Sequence, residues 1–282
     1  MDDDVRGTHG LGYARNGDPN APTVVLLHGV GTTRWMWRRL VSDLASALHV
    51  VSVDLPGHGA SARTPWTSMA DTGARVAEAV RRLAPDQRVH LVGLSLGGYI
   101  ALDLAAQLPE MVCTATASGV NVLPFPRPRL MRAAGHVMSP LLSSRVMLRA
   151  NARALGVPPE DFDGYAAAAR SMARGTFLAV GSELLEYALP SAAAVSSSRV
   201  LALAGGAEPP LILQSLPRIA AAFPLGAARV APGVGHAWNG QAPELFAATV
   251  RAHVAGAALP EGLAHVTASP PDRSRRPESP AE

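Results

Sequence analysis

Short runs of apolar residues recur along the chain at 23–27, 50–53, 89–92, 112–117, 200–204 and 228–231, without the polar alternation of a half-exposed strand. Continuous stretches of Val, Leu and Ala this short suit strands buried on both faces. Between them, 36–48, 71–83, 99–108 and 243–254 carry apolar residues at the helical period, and Pro109 stops the third. Strands and helices in alternation predict an α/β fold, a doubly wound and mostly parallel sheet with helices on both faces.

The alternation lapses over 122–198. Pro124, Pro126 and Pro128 open this segment, and Ala, Met and Arg fill it without a strand-like run, so a helical insertion, in effect a lid, is expected there. From 256 onward Pro, Ser, Arg and Glu predominate, and so little apolar surface cannot offset the entropy of ordering. The expected organisation is a core in two parts, 1–121 and 199–255, the helical lid at 122–198 and a disordered tail at 256–282.

Composition narrows the chemistry. The 282 residues, 48% of them hydrophobic, can bury a substantial core, yet no apolar run approaches the ~18–20 residues that span a bilayer. The acidic start Met1-Asp2-Asp3-Asp4 lacks the apolar segment of a secretory signal, which makes a cytoplasmic location the expectation. All 25 basic residues are arginine. Without lysine there is no Schiff base, no pyridoxal phosphate anchor and no phosphate-loop lysine. The arginines are scattered, which argues against nucleic acid as a partner and leaves a small-molecule substrate. The single cysteine, Cys113, lies in an apolar run and reads as an inert buried thiol. The nine histidines show no metal-ligand spacing, so neither a metal nor a cofactor is expected.

The most specific local signal is Gly93-Leu94-Ser95-Leu96-Gly97, set between a short apolar strand and a helix. A serine in a G-x-S-x-G frame at a sharp strand-to-helix turn exposes its hydroxyl, and the two glycines remove the Cβ atoms that would crowd it. The same turn aims the backbone N–H of Leu96 at any oxygen that becomes negative beside Ser95. A second donor belongs in the loop His28-Gly29-Val30-Gly31, where the Val30 N–H is the candidate.

Serine needs a base, and the base needs a carboxylate to fix its tautomer. His236, in Gly235-His236-Ala237-Trp238 after the last expected strand, is the candidate base, and Trp238 beside it is a candidate for lining the pocket. Trp35 and Trp37 are expected in the core. Between Ser95 and His236 the carboxylates are Asp103, Glu110, Glu160, Asp161, Asp163, Glu183, Glu186 and Glu208. Of these only Glu208 follows a core strand, through the loop Gly205-Gly206-Ala207, which makes it the candidate acid.

With these motifs in order, joined by Asp54-Leu55-Pro56-Gly57-His58-Gly59 after the second core strand, the chain resembles the α/β-hydrolase fold, of the lidded esterase, lactonase and carbon–carbon hydrolase type. The resemblance spans roughly 23–254 and implies the chain order nucleophile, acid, histidine that Ser95, Glu208 and His236 satisfy. It implies an architectural role for Asp54 and His58. In this family the acid is usually aspartate, and here it is one methylene longer. The expected function is cofactor-independent serine hydrolysis of a small or medium, largely apolar ester, lactone or thioester. Carbon–carbon cleavage, acyl transfer or perhydrolysis on the same triad is the enzymatic alternative, and ligand binding without turnover the non-catalytic one. The oligomeric state is not fixed by the sequence.

Overall fold

The computed structural model describes residues 5–6, 10–84 and 88–266. Nine strands form one sheet: β1 (Val5–Arg6), β2 (Gly12–Asn16), β3 (Thr23–Leu27), β4 (His49–Asp54), β5 (Val89–Leu94), β6 (Val112–Ser118), β7 (Arg199–Gly205), β8 (Leu225–Ala231) and β9 (Ala264–His265). Their spatial order is β1-β2-β4-β3-β5-β6-β7-β8-β9. The six from β3 to β8 are parallel to one another, whereas β1, β2 and β9 run antiparallel to their neighbours. All six expected strands are present in the parallel part.

Among the described residues ten α-helices accompany the sheet: α1 (Arg38–Leu44), α2 (Met69–Leu83), α3 (Leu96–Gln107), α4 (Pro128–Met138), α5 (Arg145–Leu155), α6 (Phe162–Ser171), α7 (Thr176–Leu184), α8 (Pro210–Ala222), α9 (Trp238–Gln241) and α10 (Pro243–Ala255). Alternate strand residues feed two cores. Val25, Leu27, Leu91, Ala202 and Ala204 pack with Val76 of α2, Ile100 of α3 and Ile219 of α8 on one face. Val24, Leu26, Val92, Leu201 and Leu203 pack with Leu44 of α1 and Phe246 of α10 on the other. Burial on both faces is why these strands are apolar throughout, as a sheet covered by helices requires.

Helices α4 to α7 lie between β6 and β7, where the strand and helix alternation lapses in the sequence. They carry a small core of their own around Leu148, Ala152, Tyr165 and Ala166. The insertion is tied to the sheet domain by charge. Arg38 and Arg39 of α1 both pair with the buried carboxylate of Asp161, Arg39 at 3.1 Å, and Arg39 also donates to the Gly240 carbonyl at 2.9 Å. Trp35 lies directly against Gly164, where any side chain would collide with the indole.

The tail needs a correction. Ordered chain continues past 256: Leu263 is buried, and β9 pairs with β8 through Arg229 and Val230. The sparse apolar residues there suffice because they extend an existing sheet edge instead of building a core. Residues 267–282 of the expected tail lie outside the described residues.

Candidate active site

Each candidate segment follows the C-terminal end of a parallel strand: His28–Gly31 after β3, Ser95 after β5, Gly119 after β6, Glu208 after β7 and His236 after β8. A doubly wound sheet gathers loops at this edge. Ser95 has φ 53° and ψ −120°, one of two non-glycine residues at positive φ among those described. Its neighbours make the turn possible. A Cβ on Gly97 would strike the Leu27 backbone, and one on Gly93 would strike the Gly97 carbonyl. A hydrogen bond from Gly97 N–H to the His28 carbonyl, 3.0 Å, draws the elbow against the loop that bears Val30.

That loop is held from below by two histidines. His28 Nδ1 donates to the Gly29 carbonyl at 2.8 Å and its Nε2 accepts from Leu55 N–H at 2.9 Å. His58 Nδ1 donates to Pro56 at 2.9 Å, and its Nε2 accepts from Gly31 N–H at 3.2 Å. Both rings are therefore neutral, and burial drives their pKa values down, to about 4 for His28 and about 3 for His58. Asp54 accepts from the N–H groups of Arg34 and Ala60. The Asp54 to His58 stretch thus fixes the shape of the loop around Val30. Among the described residues the N–H groups of Val30 and Leu96 enter no hydrogen bond; Leu96 opens α3, where helix geometry supplies no acceptor.

The loops after β7 and β8 are zipped together. Gly206 N–H bonds to the Ala231 carbonyl at 2.7 Å and Ala207 N–H to the Val234 carbonyl at 2.9 Å, and Gly205 lies flush against the Val234 and Gly235 carbonyls. This brings Glu208 Oε2 to 2.6 Å from His236 Nδ1. Oε1 accepts from Gly205 N–H at 3.4 Å. A carboxylate can only accept, so His236 Nδ1 carries the proton and Nε2 presents a lone pair. The Glu208 side chain is wholly buried, while His236 keeps 15% exposure toward the cavity. Glu208 N–H bonds in turn to the Gly205 carbonyl at 3.1 Å, which closes the turn that bears the carboxylate.

Ser95 and His236 share two cavities. The larger, about 850 Å³, runs under the insertion and is lined by Val30, Trp35, Leu148, Tyr165 and Phe177 among others. The smaller, about 230 Å³, lies on the opposite side against Tyr99, Phe125, Leu184 and Ile212. A serine hydroxyl and an acceptor imidazole on the walls of the same two largely apolar cavities are the parts that acyl transfer requires.

Two aromatic assignments change. Trp238 does not line either cavity: it is fully buried, its ring lies tilted against Phe246 with centroids 4.5 Å apart, and it donates to Ser118 Oγ at 2.8 Å. Its place on α9 turns the ring into the sheet, away from His236. Trp35 lines the larger cavity, whereas Trp37 is core as expected. Sequence reasoning missed Gly119. At φ +68° it sits where a Cβ would lie 2.5 Å from His236 Cε1 and 3.3 Å from Glu208 Oε1. A glycine immediately after a buried strand, at the edge that carries the site, is the signal that marks it. Tyr99 was also missed; its hydroxyl accepts from Asn121 N–H at 3.0 Å, and burial raises its pKa to about 12.

The family described as the alpha/beta hydrolase family matches residues 24–249, and the chain belongs to it. Among curated proteins it is similar to monoacylglycerol lipase ABHD6 of Bos taurus, 35% identical over 106 residues, and to monoacylglycerol lipase abhd6-B of Xenopus laevis, 34% identical over 114 residues. These matches cover 36% and 39% of this chain, and 32% and 34% of the relatives' lengths, so the likeness spans about a third of those proteins. Among solved structures, a thermophilic esterase from Thermogutta terrifontis superposes with a TM-score of 0.74 at 18% identity, over 91% of this chain and 98% of that one. A hydrolase from Pseudomonas aeruginosa PA01 superposes with a TM-score of 0.71 at 22% identity, over 90% and 97%. At such identities the superpositions establish the fold.

Proposed function

We propose that the protein is a cofactor-independent serine hydrolase of a largely apolar carboxylic ester, with Ser95, His236 and Glu208 as its catalytic triad. The observation that carries this reading is the buried 2.6 Å pair of Glu208 and His236, which leaves the imidazole a free acceptor in the cavity that also holds the strained Ser95. Ser95 Oγ attacks the carbonyl carbon as its proton passes to His236 Nε2, and Glu208 stabilises the imidazolium. The N–H groups of Val30 and Leu96 take the negative charge on the carbonyl oxygen, a contribution of about 3 kcal/mol per donor in comparable sites. The leaving alkoxide departs with the histidine's proton. Water then gives a proton to His236 and a hydroxide to the acyl carbon, and as the bond from that carbon to Ser95 Oγ breaks His236 returns the proton to Oγ, which releases the acid and restores Ser95.

The helical insertion serves as the lid, and the volume of the larger cavity suits an acyl chain. The stretch shared with monoacylglycerol lipases supports a glyceride ester among the candidate substrates. The test is turnover of aryl and monoacylglycerol esters, with labelling by a fluorophosphonate probe, in the parent protein and in Ser95→Ala. Loss of both in the variant, with an unchanged circular dichroism spectrum, is the expected result. Cleavage of vinylogous diketones in preference to esters moves the assignment to carbon–carbon hydrolysis. Labelling that survives in Ser95→Ala overturns the nucleophile.

A further inference from the structure

Helix α4 is unusual in burying none of its side chains. Its apolar residues nonetheless recur at helical spacing, and the spacing continues into the next turn: Leu130, Met131, Ala134, Val137, Met138 and Leu141. At ~100° per residue they occupy roughly a third of the helix circumference. The stripe points away from the protein. Gly135 is the side that approaches Leu178 of α7, and the half-buried positions on α4 are Pro128, Arg132 and Gly135, on the far side from the stripe.

The stripe holds most of the exposed large hydrophobic side chains among the described residues. Of the eight large hydrophobic side chains exposed among the described residues, six fall between 130 and 146: Leu130, Met131, Val137, Met138, Leu141 and Val146. Val137 and Val146 are 75% and 80% exposed. A contiguous apolar surface rimmed by polar groups marks an interaction site more often than chance.

Arginine prevails in the chain around this face. From 111 to 159 the chain contains no Asp or Glu and six arginines: Arg127, Arg129, Arg132, Arg145, Arg149 and Arg153. All but Arg132, which pairs with Glu186, belong to the exposed class. An outward apolar stripe flanked by five exposed arginines, with Glu186 on Arg132 as the carboxylate paired to α4, complements a surface with an apolar interior and an anionic face. Residues Ser139, Pro140, Leu142 and Ser143, directly following α4, line the larger cavity, so the segment that bears the stripe continues into the wall of the cavity that holds Ser95.

We infer that the α4 face docks on an anionic lipid bilayer, with Leu130, Val137 and Leu141 in the acyl boundary and the arginines at the phosphates. The continuity of this face with the cavity favours a lipid surface over an acidic protein, because a docked bilayer presents an apolar ester at the mouth. Docking is independent of turnover and stands or falls apart from the triad.

The test is co-sedimentation of the full chain with sucrose-loaded vesicles of phosphatidylcholine, alone or mixed with phosphatidylglycerol. Binding is expected to the mixed vesicles, weakening as salt is raised. The triple variant Arg127→Gln/Arg129→Gln/Arg145→Gln should bind about 100-fold more weakly, at about fivefold per arginine. Leu130→Ser/Val137→Ser/Leu141→Ser should lose binding while keeping its circular dichroism spectrum and its turnover of a soluble short-chain ester. Equal sedimentation with neutral and anionic vesicles, or none with either, overturns the inference. So does a parent protein that self-associates while the serine variant is monomeric, because the stripe would then be covered by a second copy.

Discussion

At the scale of the residue, the geometry turns on a missing atom. Gly119 leaves the space that the His236 ring fills, and its φ of +68° is one that an alanine adopts only with strain of about 1–2 kcal/mol. Gly119→Ala should therefore do two separable things. It should lower the melting temperature modestly, and it should cut kcat/KM by about 100-fold, because a displaced base loses alignment far faster than the fold loses stability. Ester kinetics beside a thermal melt distinguish them; a variant that is destabilised but fully active would show that His236 has room to relax. Ser95, His236 and Glu208 could be singled out as candidates from the sequence because each follows an apolar strand and the carboxylates can be eliminated one by one; what the structure adds is the 2.6 Å contact between Glu208 and His236. Gly119 could not be singled out so easily, since a glycine after a strand has many uses and its role depends on side chains from two other loops. Trp238 was misjudged for a related reason. Adjacency to His236 in sequence does not say which way a ring turns, and the buried Ser118 hydroxyl that anchors it lies 120 positions away.

At the scale of the element, what needs explaining is how a four-helix insertion is registered above the sheet edge. Much of the attachment is polar. Asp161, 6% exposed, accepts from Arg38 and Arg39, and Ala237 N–H bonds to the Leu155 carbonyl at 2.7 Å. The insertion thus grips the loop that carries His236 as well as α1. Removing the Asp161 carboxylate leaves two guanidiniums facing each other, but each retains about a third of its exposure, so the cost is discounted to about 1–2 kcal/mol. Asp161→Ala should raise KM more than it lowers kcat, and limited proteolysis should cut first within 122–198. Cleavage unchanged in rate and site would mean that the apolar contact of Trp35 with Gly164 carries the registration instead. The helical character of this segment was legible, because prolines opened it and no strand-like run followed. Its attachment was not, since Arg38 and Asp161 are ordinary surface residues until the fold brings them together.

At the scale of the whole molecule, buried neutral histidines set the response to acid. His28 and His58 lie beneath the loop around Val30, and His90 and His253 lie within the sheet domain, bonded to Thr114 and Thr116. Desolvation is the largest cause of depression in all four, with pKa values near 4, 3, 4 and 3. In the unfolded chain each returns to about 6.5. Between these limits the unfolded state binds more protons than the folded one, so stability rises with pH there. The contribution is complete above 6.5 and is lost as pH falls toward 4. Asp103 acts oppositely: burial raises its pKa from 3.8 to about 6, so its contribution is present below 3.8 and lost as pH rises through 6. His49 is lowered by burial as well, so five groups oppose one over the shared range, and two of the five sit directly under the candidate oxyanion-binding loop. The urea midpoint should therefore be flat above pH 7 and fall steadily from 6.5 to 4, with loss of ester turnover accompanying the fall instead of preceding it. A midpoint that holds steady or rises between pH 6.5 and 4.5 would mean that these rings charge without unfolding the protein, contrary to the burial that surrounds them.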